Sequence, residues 1–184
     1  QWMQDWAHRK GVQLAPHGKT TLSPELFRLQ LQAGAWGMTV ANVHQLQLAL
    51  QAGAQRCIIA NQVLADADLE GLARLLAQHA GVRVWFLVDS LAQLALIEDW
   101  ARRHGQAPVF DVLLELGVDG FRTGCRTLEH ALALARGQAS ALATLLAWRA
   151  AQLMGFAFTQ AFKKSQKTTQ SIHTGNCKNT RRNT

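Results

Sequence analysis

The chain has 184 residues, 48% apolar and 17% charged, a balance that excludes a wholly disordered protein and allows one buried core. Its net charge of +7 is unevenly placed: residues 1–138 carry twelve Lys/Arg against twelve Asp/Glu, whereas residues 139–184 carry seven Lys/Arg and no acid. Cys57, Cys125 and Cys177 show no paired spacing, which speaks against a disulfide framework or a zinc knuckle; with no leader visible, a reducing cytoplasm is the expected location.

Residues 1–10 place Trp2, Met3 and Trp6 within one helical turn and end at Gly11, the pattern of a helix closed by a glycine cap. Val12 to Lys19 reads as a strand, whose period of two puts Ala15, His17 and Lys19 on one face. The next residues form a helix entry, with Ser23 as N-cap, Pro24 at the first helical position and Glu25 in the first turn. Lys19 therefore stands where a strand hands over to a helix, the edge at which parallel α/β folds bind ligands. A lysine there is either a solvated charge or an amine set to condense with an aldehyde, which partial burial near other cations would favour. Gly18-Lys19-Thr20 does not make a phosphate loop, because Gln13 occupies the position where that motif needs its first glycine.

Beyond this point helix and strand alternate. Glu25 to Ala35 is expected as a helix burying Leu26, Leu29 and Ala33, followed by a strand over Trp36 to Ala41 and a helix over Val43 to Ala52. Arg56 to Val63 and Val82 to Val88 read as apolar strands, separated by a helix over Asp66 to Ala80 with Leu69, Leu72 and Leu76 on one side. A helix over Leu91 to Arg103, a strand over Val109 to Leu116 and a helix from Thr127 to Arg136 complete the series. Such βα units of about 25 residues, with nearly continuous apolar strands, imply a parallel sheet covered by helices. About five units are present, whereas a complete (β/α)₈ barrel takes eight and about 250 residues. Periodicity alone allows either a partial barrel or a doubly wound sheet, although no Gly-x-Gly-x-x-Gly follows the first strand. Trp36, Trp85 and Trp100 read as packing residues.

After residue 138 the rhythm stops. Residues 139–162 are expected to form an apolar helix, and residues 163–184 a basic disordered tail foreign to the fold. Arg149 argues against a membrane span, and no aromatic residue interleaves the basic residues after Phe162, so neither a membrane nor a nucleic acid is an expected partner. Gly117 to Gly124 is a glycine-rich loop whose backbone can come close to a ligand. Asn61 ends a strand, where an amide donates to a ligand or caps a turn; Asp89 and Ser90 are read as helix caps; His17 is either a ligand contact or a packed barrel histidine.

Three ordered blocks, Ala15-Pro16-His17-Gly18-Lys19-Thr20-Thr21-Leu22-Ser23-Pro24, the run Gln30 to Ala41, and Ala60-Asn61-Gln62-Val63, resemble the amino-terminal part of the pyridoxal-phosphate enzymes of the alanine racemase fold. The resemblance is to the D-serine dehydratase, D-threonine aldolase and amino acid deaminase group, and it covers residues 1 to about 138. It implies an α/β fold, a partial TIM-type barrel of about five βα units, with residues 1–138 as the cofactor-binding part. It implies pyridoxal 5'-phosphate held by Lys19, with His17, Asn61 and Arg122 as further cofactor contacts; Arg122 matches an arginine lying by the cofactor's phenolic oxygen. Phe121 departs from an expected glycine and Ala15 from a frequent arginine. The implied reaction is deamination, dehydration or aldol cleavage of a D-amino acid of the D-serine or D-threonine type, in a homodimer. The group's metal ligands lie in a carboxyl-terminal β domain not recognisable here, so no metal is expected and little turnover by this chain alone. A non-catalytic carrier of the same cofactor, or an interaction segment acting through the basic tail, are the alternatives.

Overall fold

A computed structural model describes residues 2–105, 108 and 110–141, with side chains as far as Arg136. Helix α1 (Trp2–Arg9) is followed by an extended segment over residues 12–18, and then by α2 (Pro24–Gln32), β1 (Met38–Val40), α3 (Val43–Gln51) and β2 (Arg56–Gln62). Next come α4 (Asp66–Gln78), β3 (Arg83–Val88), α5 (Leu91–His104), β4 (Asp111–Leu114) and α6 (Leu128–Ala141). The expected apolar helix is reached only by the last turn of α6; the remainder of it and the basic tail lie outside the described residues. No described helix is long and apolar enough to cross a membrane.

The four strands are parallel and lie in chain order, β1-β2-β3-β4. The segment expected as the first strand adds beside β1 through a single bridge, His17 to Thr39. Trp36 N donates to Leu14 O, Thr39 N to Pro16 O and Gly18 N to Thr39 O, each at 2.8 Å. Five consecutive parallel segments without a reversal of order are the course of a barrel, not of a doubly wound sheet, which reverses at its switch point.

One core lies between the sheet and its helices. Met38, Val40, Cys57, Ile59, Val84, Phe86, Val88 and Val112 point from the strands toward Phe27, Leu46, Leu72, Ile97, Trp100 and Leu134. Alternation along the strands sends the remaining residues to the opposite, concave face. The register Thr39–Ile58–Trp85–Asp111 is one layer across it. Trp85 and Leu87, on this face, are buried. Trp36 crosses over Trp85 at 5.2 Å, Arg83 stacks on Trp85 and pairs with Asp111 at 2.9 Å, and Arg56 lies over Trp36. Trp36 and Trp85 thus close the amino end of the concave face, whereas Trp100 packs in the helix layer against Phe110.

Helix α2 is rotated from the expected facing. Phe27 is buried and Leu31 packs beside it, whereas Leu26 and Leu29 are exposed. Each α-helical residue turns by about 100°, so Phe27 and Leu31 share one face and Leu26, Leu29 and Ala33 another. The larger Phe27 takes the core side. Leu116, Phe121, Leu128 and Leu132 are exposed around the β4 edge.

Candidate active site

Lys19 begins a turn just beyond the extended segment, at the carboxyl edge of the sheet. Gly18 packs on the outer, helix side: a β-carbon there would stand 2.5 Å from Phe27 Cζ. His17 pairs with Thr39, whose side chain lies opposite Met38 and Val40, and so faces the concave side. The turn is closed by Leu22 N donating to Gly18 O at 3.0 Å, with Leu22 in the left-handed region at φ 46°. Ser23 then caps α2, its hydroxyl accepting from Leu26 N. Lys19 is the first residue of this turn, just after the bridge that His17 makes with Thr39. Its ammonium is exposed and makes no ion pair or hydrogen bond with a described residue. It lies near enough to His17 for its charge, after partial burial, to push that imidazole below the ordinary histidine range.

Across the rim, β2, β3 and β4 end in one polar network. Gln62 Nε2 donates to Glu115 Oε2 at 2.7 Å and to Asp89 Oδ2 at 3.2 Å. Asp89 Oδ2 also accepts from Gly124 N at 2.9 Å, and Glu115 Oε1 from the Thr123 hydroxyl at 3.0 Å. The loop over residues 117–124 is thereby fastened to the strand ends, and Cys125 N, donating to Glu115 O, closes it. Arg126 holds the loop from within, donating to the carbonyls of Phe121, Thr123 and Gly124. Burial first, and the Asp89 carboxylate next, push the Cys125 thiol upward.

The expected site residues separate into two kinds. Lys19 and His17 stand together at one end of the rim. Arg122 is exposed in the fastened loop, and Asn61 is half-buried near the end of β2; neither bonds a described side chain. Gln62, Glu115, Thr123 and Arg126 were not singled out from the sequence. Asp89 was read as a cap, but Ser90 caps α5, accepting from Gln93 N at 3.2 Å, and the Asp89 carboxylate is left to hold the loop. Alternation puts Gln62 on the concave face with Ile58, and a bulge sets its register: Ile59 pairs with Phe86, yet Gln62 pairs with Leu87. Among the described residues no cluster of three or more His, Cys, Asp or Glu could hold a metal.

The donor set suits an aldehyde-bearing anionic cofactor. Lys19 offers an amine free of ion pairs with described residues, Arg122 is a cation in a glycine-rich loop, and the two rim carboxylates bond to internal donors, not to either of those cations. Four parallel strands in chain order under a layer of helices define the class: an α/β protein built as a partial TIM-type barrel.

Sequence comparison narrows this further. The chain is 35% identical over 136 residues to a D-threonine aldolase of Arthrobacter sp, which covers 74% of this chain and 34% of the aldolase. It is 32% identical over 136 residues to D-threo-3-hydroxyaspartate dehydratase of Delftia sp. (strain HT23), with the same two shares. Among solved structures, D-threonine aldolase from Filomicrobium marinum superposes with a TM-score of 0.65 at 31% identity, covering 75% of this chain and 36% of that one. The Delftia dehydratase superposes at 0.58 and 31% identity, covering 67% and 31%. No protein-family model matches the chain. The chain is homologous to the fold type III pyridoxal-phosphate enzymes of the D-serine dehydratase and D-threonine aldolase group. It spans about a third of the length of the curated relatives it matches.

Proposed function

We propose that this chain carries the lysine-bearing part of a pyridoxal-phosphate-dependent lyase that dehydrates or cleaves a D-3-hydroxy amino acid. The observation that carries the reading is the placement of Lys19, in Pro16-His17-Gly18-Lys19-Thr20, at the carboxyl rim beside His17 and free of ion pairs with described residues. The homologous aldolase and dehydratase support the reaction class. The cofactor, when bound, supplies the carbonyl with which amines condense and the ring that draws electrons from the α-carbon. Lys19 Nζ is the amine that anchors it and, once displaced by the substrate amine, the base for the proton lost in the reaction. In cleavage His17 would be the acceptor for the proton of the substrate hydroxyl; in dehydration that hydroxyl would leave as water, taking the proton that Lys19 draws from the α-carbon. Arg122 is the cation for the phenolic oxygen, and Asn61 a second amide donor.

We further propose that this chain turns over substrate slowly by itself. Leu116, Phe121 and Leu128 lie exposed beyond β4, so the described residues do not wall that side of the site. Titrating the full chain with pyridoxal 5'-phosphate tests the reading: a visible absorbance band absent from Lys19→Ala supports it, and a band of equal size in that variant contradicts it. Keto acid or glycine released from D-threonine or D-3-hydroxyaspartate separates a lyase from a carrier of the same cofactor.

A further inference from the structure

We propose that Gln62 is a positioning residue that holds the Arg122 loop on the rim. Its amide is placed where only an NH₂ group fits, between two carboxylates from neighbouring strands, at 2.7 Å from Glu115 and 3.2 Å from Asp89. An amide carbonyl there would face two anions, and a carboxylate would make a third.

Each carboxylate passes the constraint on. Asp89 Oδ2 accepts from Gly124 N, and the other oxygen of Glu115 accepts from Thr123 Oγ1. Both partners are the residues that directly follow Arg122 in its loop. The bulge in β2 is a second, independent sign: two extra residues between the pairs Ile59–Phe86 and Gln62–Leu87 bring Gln62 opposite Leu87, a concave-face residue. Without the amide, two carboxylates would face each other across the rim and lose their fixed orientation. The loop would then keep Arg126 and the backbone bond from Cys125 N to Glu115 O, but its two side-chain ties, through Asp89 and Glu115, would loosen.

The consequence for cofactor binding rests on the function proposed above; the effect on the loop does not. Gln62→Leu keeps side-chain bulk and removes the donors. In the full chain, amide hydrogen exchange at Gly124 should speed up by about tenfold or more, as expected for loss of a hydrogen bond to a charged group. Exchange at Ile59 and Phe86 should not change. Thr123→Val, a loop variant that leaves the sheet intact, should accelerate Gly124 as well, and it decides the matter if Gln62→Leu does not fold. Unchanged exchange at Gly124 in either folded variant overturns the proposal.

A double-mutant cycle on the dissociation constant of pyridoxal 5'-phosphate tests the link to Arg122. Gln62→Leu and Arg122→Ala should each weaken binding, and the pair should be no weaker than Arg122→Ala alone. Additive losses would show that Gln62 does not act through that arginine. If the unsubstituted chain binds no pyridoxal 5'-phosphate, the proposed function fails, while Gly124 exchange still decides the role of Gln62.

Discussion

Gly18 lies against the ring of Phe27, and that contact sets how the chain enters the turn of Lys19. The β-carbon of an alanine would stand 2.5 Å from Cζ and 2.6 Å from Cε1, with the fully buried Phe27 unable to retreat without disturbing the core. Gly18→Ala should cost about 1–3 kcal/mol in denaturant unfolding, the range for overpacking. Phe27→Leu introduced with it should lose less than the sum of the two single changes, since the pair share one space. Additive costs would show that the two residues do not meet.

His17 should report the neighbouring ammonium. Partial burial, then the charge of Lys19, lower its pKa from 6.5. A histidine whose folded pKa is lowered is neutral in the folded chain while the unfolded chain begins to take up a proton. Stability should therefore be complete above pH 6.5 and should decline as the pH falls from there toward the folded value. Followed by the NMR shift of its ring protons, His17 in Lys19→Met should titrate closer to 6.5 without reaching it, because burial remains. An unchanged pKa would separate Lys19 from His17.

Cys57 provides a test of the core. Its thiol, fully buried under the helices, is pushed up to about 12 by burial. At pH 8 the thiolate is scarce and inaccessible, so an aromatic disulfide reagent should modify Cys57 in the native chain only through opening. Peptide mapping should find it unmodified after a time in which the urea-unfolded chain reacts completely. A raised folded pKa also means that this stabilisation persists below the unfolded value of 9.0 and disappears as the pH rises toward 12.

Arg126 should matter to the loop and not to the sheet. It donates to three loop carbonyls, those of Phe121 and Thr123 at 2.6 Å and Gly124 at 2.9 Å. Arg126→Met should expose residues 118–123 to limited proteolysis, with the helical circular dichroism signal unchanged. Equal resistance of the variant would contradict this role.

The alternation of elements was legible because its causes are local. Ser23, Ser90 and Thr127 are caps whose hydroxyls accept from backbone N–H groups three residues on, and Gly11, Gly34, Gly53 and Gly105 end their helices at positive φ. Helix facing was legible where the leucine spacing was unopposed, as at Leu69 and Leu72, and misleading in α2, where one phenylalanine outweighs two leucines. The place of Lys19 and His17 at the rim, and of Arg122 in the glycine-rich loop, could be read from motif and position. The rim network could not: a bulge shifts the register at which Gln62 meets β3, and Asp89 and Glu115 acquire their role only when residues 35 and 53 positions away in sequence, Gly124 and Gln62, arrive beside them.

The most direct measurement of the central claim is to load the full chain with pyridoxal 5'-phosphate, reduce it with borohydride, and map the modified peptide by mass spectrometry. A single phosphopyridoxyl adduct on Lys19 is expected, suppressed by prior addition of a D-3-hydroxy amino acid. An adduct spread over other lysines, with Lys19 unmodified, would contradict it.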